Sequence, residues 1–329
     1  MENVTARHFH DEDAARAYLE AKRWPDGPVC PHCGVIDEAY KLTPKPGSTT
    51  RKGLWKCAGC RKQFTVTVGT VFADSKLPLH KWLFAVHLLC ASKKGMSAHQ
   101  LHRMLGITYK SAWFMAHRIR YAMQQEPLSS KLDGVVEVDE TYIGGKIKRR
   151  NNPSNRPVVK ADDKRITRQG PPPGTNVLAN KAAVVSLVQR GGRVRSVHME
   201  RVTSETLKPL LSESLAEGTH VITDSSTALR ATTRDRWRHD TVNHTRGEYV
   251  RYEGGECITT NTVESFFNIL KRGVNGTYHH LSRRHLHRYL SEFDFRYNSR
   301  DVSDTERATE ALQGAGGKRL MYRDSSSRR

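Results

Sequence analysis

Between Pro78 and about Met123 the apolar positions recur at the helical period. Leu79, Trp82, Leu83, Val86, Leu89 and Cys90 share one helical face. Ser97 is placed to cap a second helix beginning at Ala98, Gly106-Ile107-Thr108 makes a tight turn, and Tyr109 to Met123 predicts a third helix. Upstream, Asp11 and Asp13 open a short helix that Pro25 closes. Beyond residue 132 the pattern alternates between strand-like and helical stretches. Val135 to Ile143 and Ala182 to Met199 predict strands, with Gly191-Gly192 as a hairpin turn inside the second stretch. Thr203 to Ala216 predicts a helix stopped by Gly218, and His220 to Thr223 a further strand. Two helices, Thr262 to Arg272 and His285 to Asn298, close the unit. Strands and helices mixed in this way predict an α/β (or α+β) domain.

The same pattern divides the chain into a helical lead-in at 1–25, a cysteine-bearing segment at 26–75, a helical segment at 76–125, an α/β domain at 132–300 and a tail at 301–329. Inside the α/β domain, 144–175 is Pro-rich and strongly basic, and predicts a mobile loop. The end of the tail, Ser325 to Arg329, predicts disorder.

Four of the six cysteines stand in two CxxC turns, Cys30-Pro31-His32-Cys33-Gly34 and Cys57-Ala58-Gly59-Cys60-Arg61. Each turn offers two thiolates from one tight loop, and together they complete a tetrahedral Zn²⁺ shell. With four sulfur ligands the site is closed, so its zinc is structural. Cys90 falls on an apolar helical face and is assigned to the core, as is His32 to the surface.

Charge changes the picture next. The 329 residues carry 54 Lys and Arg against 34 Asp and Glu, a net +20. A polyanion is the partner this balance favours. The helices between Ser97 and Ala122 have helix-turn-helix layout, the last one basic. Lys110, Ser111, His117, Arg118 and Arg120 are candidates to face DNA; Trp113, Met115, Ala116 and Ile119 are assigned to the core. In the basic loop, Lys148, Arg149 and Arg150 are candidates to grip the DNA backbone. No membrane span is expected, since the most apolar stretch, Trp82 to Ala91, is interrupted by His87 and is about half the length a bilayer needs. The first residues lack the apolar core of a signal peptide, and with the CxxC pairs this predicts a cytoplasmic, nucleoid-associated protein.

Against this basic background a few acids are spaced suggestively. Asp139 follows the apolar run Val135 to Val138, and Asp224 follows His220 to Thr223. Both are expected to emerge near one sheet edge. Glu264 lies on a predicted helix with Lys271 seven residues on, nearly two turns, so the two share a face about 10 Å apart. Two strand-end carboxylates plus one on a helix can hold a pair of Mg²⁺ or Mn²⁺ ions against a phosphodiester, with Lys271 on the phosphate. Strand alternation puts Glu137 on the side of Asp139 and Glu140 opposite. Asn261, three residues before Glu264, is a candidate third ligand or helper.

The chain resembles transposases of the IS1595 type, in the ISXO2-like subgroup. The resemblance rests on both CxxC turns, on Glu137-Val138-Asp139-Glu140-Thr141-Tyr142-Ile143-Gly144-Gly145-Lys146, on Val242-Asn243-His244 and on Asn261-Thr262-Val263-Glu264-Ser265-Phe266-Phe267. Gly276 to His280, His285 to Leu290 and Glu292 to Asn298 extend it. It implies a ribonuclease-H-like mixed sheet flanked by helices, preceded by the zinc ribbon and the helix-turn-helix. It further implies a DDE-type triad using two divalent ions, here Asp139, Asp224 and Glu264, with His244 and Asn243 as helpers nearby. Some relatives use Asn as the third residue, but from Asn261 the acid-to-base offset lands on Asn268, which favours Glu264. After Asp224 the chain reads Ser225-Ser226-Thr227-Ala228-Leu229, where the resemblance leads one to expect an acidic or aromatic residue. The implied activity is cleavage of element ends at inverted repeats and joining to target DNA, by a dimer or higher oligomer. The rivals are an inactive DNA-binding regulator derived from such an element, and a nuclease that cuts without joining.

Overall fold

The computed structural model describes residues 4–43, 47, 50–125, 130–144, 181–233 and 236–323. Lys148, Arg149 and Arg150 and the end of the tail lie outside the described residues.

The chain begins with α1 (Glu12–Arg23), capped by Asp11, whose side chain accepts from the Ala14 N–H at 2.7 Å. Three short strands, β1 (Ala39–Lys41), β2 (Trp55–Cys57) and β3 (Gln63–Phe64), pair antiparallel in that order. Three helices follow: α2 (Leu79–Ala91), α3 (Ala98–Leu105) and α4 (Tyr109–Ala122). All six residues placed on the apolar face of α2 are buried. Ser97 caps α3, Gly106 ends it in the left-handed region at φ 59°, and Thr108 caps α4. Gly suits that position because it has no Cβ to clash there.

The second unit is built on five strands: β4 (Val135–Ile143), β5 (Ala182–Gln189), β6 (Val194–Met199), β7 (His220–Thr223) and β8 (Arg238–Thr241). Between them lie α5 (Ser204–Ser214), capped by Thr203, and α6 (Thr227–Thr233). The strand order is β6-β5-β4-β7-β8. The first three are an antiparallel meander, while β7 and β8 run parallel to β4 and so need the crossover helices α5 and α6. This is the mixed, ribonuclease-H-like sheet that the resemblance implied. A two-stranded hairpin, β9 (Val250–Glu253) with β10 (Glu256–Thr259), leads into α7 (Asn261–Gly273). A π-helical turn, Val274–Tyr278, precedes α8 (Arg283–Asn298).

Alternation along β4 sorts the core. Val136 and Val138 pack with Leu207, Leu211, Val221 and Leu229 on the α5/α6 side. Ile143 packs with Val263, Phe266, Leu270 and Phe293 on the α7/α8 side.

The segment expected as a tail contains α9 (Asp304–Gln313), a correction to the sequence reading. Ser303 and Glu306 form a reciprocal capping box, and Ala308, Ala311 and Leu312 join the core around α1, α2 and α4. The S-x-x-E signature was there to be read.

Candidate metal and DNA-processing site

In the N-terminal unit the four CxxC sulfurs converge. The Cys30 and Cys60 sulfurs are 3.7 Å apart, those of Cys33 and Cys57 3.6 Å, and all four fall within 4.8 Å of one another. A tetrahedron with Zn–S bonds of about 2.3 Å has edges of about 3.8 Å, so the donors fit a structural zinc. Each knuckle ends in a left-handed residue, Gly34 at φ 78° in the first and Arg61 at φ 57° in the second. In the second knuckle the left-handed position is therefore one past the last cysteine and is taken by a non-glycine residue.

In the second unit, Val138 is paired with Thr223 across β4 and β7, the last pair of that ladder. Asp139 and Asp224 therefore stand side by side where β7 ends. The two strands are central in the sheet, not at its edge, and β4 continues past Asp139 to Ile143 because β5 still pairs with it. Carboxylate oxygens of Asp139, Glu140 and Asp224 lie within 4.8 Å of one another. Glu140 belongs to this group although alternation places it on the opposite side of β4. The β4–β7 ladder ends at Val138 and Thr223, so no β7 residue pairs with β4 beside Glu140, and the Ser226 N–H donates to Asp224 Oδ1 at 2.8 Å. Glu140 Oε2 is buried with no hydrogen-bond partner among the described residues.

The electrostatics follow from this crowding. Burial, the Asp224 charge and the charges of Glu140 and Glu264 push Asp139 up to about 7, against the pull of the Glu140 N–H. Burial and Asp224 likewise raise Glu140. A knot of carboxylates with an unpartnered buried oxygen is what a hard divalent cation would complete.

Glu264 is on the first turn of α7, its side chain 43% exposed. Its Oε1 accepts from the Thr260 hydroxyl at 3.1 Å and lies 3.3 Å from His244 Nε2. It is near enough to act on Asp139 but outside the close group of three. Asn243 caps the short 3₁₀ turn that carries His244. Lys271 is exposed two turns along α7, its amine 5.9 Å from the Phe267 ring centre, and Asn261 is exposed at the helix start.

Residues 131–298 match the family model of the ISXO2-like transposase domain, and residues 10–63 that of the transposase zinc-ribbon domain. The first match alone covers more than half of the chain. The chain belongs to the ISXO2-like transposase family. An uncharacterized protein in transposable element ISH50 of Halobacterium salinarum is 27% identical over 292 residues, 88% of this chain and 91% of that relative.

The transposase's helix-turn-helix departs from expectation in its second half. His117, Arg118 and Arg120 are 0%, 4% and 2% exposed, so they do not face solvent or DNA in this structure. Arg118 donates to the carbonyls of Leu320 and Ala73, at 3.1 and 2.8 Å. Arg120 donates to Glu292 Oε2 at 2.5 Å, and Arg296 and Tyr278 donate to the other oxygen. The reason is that α8 and α9 cover the second half of α4, and long basic side chains there become internal struts. Lys110, on the first turn, is exposed, as are Gln100, Arg103 and Tyr109. Among the described residues, no helix is long and apolar enough to cross a membrane.

Proposed function

We propose that this chain binds the ends of a mobile element and catalyses metal-dependent DNA strand cleavage and strand transfer. The observation that carries the reading is the convergence of Asp139, Glu140 and Asp224 at the end of β7, with an orphaned buried oxygen and a raised Asp139. Asp139 and Asp224 would hold the cations, Mg²⁺ or Mn²⁺, with Glu140 close by and Glu264 on the first turn of α7. Two such ions, when bound, supply an activated attacking oxygen and charge for the leaving one. Lys271, on the Glu264 face of α7, meets the substrate phosphate, and Asn261 flanks it. Water attacks the phosphodiester at the element end and displaces its 3′-oxygen as a free hydroxyl. That hydroxyl attacks a target phosphodiester and displaces the target's own 3′-oxygen, so one P–O bond forms as one breaks in each step.

The DNA-facing surface of the helix-turn-helix is the start of α4 with the exposed side of α3. Recognition helices read base edges with their N-terminal residues, and Lys110 is there. Lys148, Arg149 and Arg150 add backbone contacts. Two ends must be brought together, so the working form is a dimer or larger, at the nucleoid.

The test uses the full chain, DNA duplexes from the sequence flanking its gene, and a plasmid target with Mg²⁺. Wild type should nick and join, EDTA should stop both, and Asp139→Asn should bind DNA but do neither. Binding without any nicking by wild type would point to a regulator, and nicking without joining to a nuclease. Nicking that persists in EDTA would overturn the metal reading.

A further inference from the structure

Glu137 is fully buried, two residues before Asp139 on the same side of β4. A carboxylate in such a place must be heavily bonded, and this one is. Its Oε2 accepts from the backbone N–H groups of Thr262 and Val263, at 2.7 and 3.0 Å. Its Oε1 accepts from the Thr262 hydroxyl at 2.9 Å and from Arg190 Nε at 2.7 Å. Arg190 in turn donates to the carbonyls of Cys257 and Thr259, at 2.6 and 2.9 Å. The pair thus grips the chain on both sides of the entry to α7.

The helix itself shows what this grip replaces. Thr260 is the residue before α7, where a threonine hydroxyl ordinarily accepts from the first-turn N–H groups. Here it makes no capping bond. Glu137, 125 residues away, satisfies those donors instead and adds a negative charge at the positive end of the helix dipole. The Thr260 hydroxyl, 1% exposed as a residue, is left to donate to Glu264 Oε1 at 3.1 Å, with His244 Nε2 3.1 Å from the same hydroxyl oxygen.

We infer that Glu137 is a positioning residue: by capping α7 in place of Thr260, it frees the Thr260 hydroxyl to hold Glu264 toward Asp139 and Asp224. The inference rests on the metal-site reading above. Without Glu137, Thr260 turns back to cap its own helix, and Glu264 loses the bond that aims it. The strand bearing the first acid and the helix bearing the third are in this way tied by one buried side chain.

The test measures Mn²⁺ affinity of the full-length protein by the electron spin resonance of free Mn²⁺. Glu137→Gln and Thr260→Val should each weaken the affinity roughly 10-fold or more, as loss of partners that orient ligands does. The double variant should be no weaker than the weaker single, because both act through Glu264. Thr260→Val leaves the Glu137 cap intact, so it remains informative if Glu137→Gln fails to fold. If Asp139→Asn binds Mn²⁺ as wild type does, the metal reading falls and the inference with it. If Asp139→Asn loses binding while Thr260→Val and Glu137→Gln keep wild-type affinity, the inference alone is overturned. Losses that multiply in the double variant also overturn it, since they would mean two independent routes.

Discussion

The acid cluster should destabilise the metal-free protein, and Asp139→Asn should relieve it. In the folded chain Asp139 gives up its proton near 7 rather than near 3.8, because burial penalises its charged form and the charges of Asp224, Glu140 and Glu264 add repulsion. The sign follows from proton binding. Between those two pH values the folded state holds a proton that the unfolded state has released, so stability falls as pH rises. The span from 3.8 to about 7, at 1.36 kcal/mol per pH unit, integrates to about 4 kcal/mol, fully felt above pH 7 and absent below about pH 4. Because Asp139 titrates together with Glu140, which is also raised, that figure is the ceiling on what one substitution recovers. Asparagine keeps an oxygen for the Glu140 N–H, which donates to Asp139 Oδ1 at 2.7 Å, so the contact survives and only the charge goes. The assay is thermal unfolding in EDTA at pH 5 and pH 8. At pH 8 the variant should melt several degrees above wild type, and the gap should shrink at pH 5. Adding Mg²⁺ at pH 8 should raise wild type and leave the variant nearly unmoved. Equal melting of the two proteins at pH 8, or a gap that widens on acidification, would mean that the Asp139 charge does not destabilise the fold.

Glu292→Gln should cost about 3–5 kcal/mol in denaturant unfolding, since it leaves Arg120 and Arg296 buried without their counter-charge. Burial raises the Glu292 carboxyl, but the two arginines outweigh it and bring it to about 2, so wild type should keep this network at any pH above that. Arg61→Gly should stabilise the zinc ribbon by about 1 kcal/mol, because a non-glycine residue at φ 57° is strained, and the zinc content by metal analysis should not change. Removing zinc with a strong chelator should unfold the β1–β3 region, seen as new amide exchange around Cys30 to Phe64, since two buried cysteines, Cys30 and Cys57, would lose the ion that joins them.

Local signals made much of this molecule legible from its sequence. The CxxC spacing announced the zinc site because two turns with paired thiolates leave little else to build. The Ser97 cap, the Gly106 stop and the face of α2 were readable because capping and helical period are set by neighbours a few residues apart. That Asp139 and Asp224 each follow a strand-like apolar run was legible, and parallel pairing of β4 with β7 sets them side by side. What the chain pattern did not hold was contact between distant elements. Glu140 joins Asp139 and Asp224 just past the point where β7 stops at Thr223, a fact about the neighbouring strand that alternation within β4 cannot report. Arg118 and Arg120 read as a basic DNA-facing surface, and α8, α9 and the Leu320 carbonyl turn them into internal struts. Glu137 reads as one more acid beside Asp139, yet it caps a helix that begins more than a hundred residues later. Periodicity and spacing determine which local element forms; a side chain's charge acts through space, so its role waits on which elements the fold brings against it.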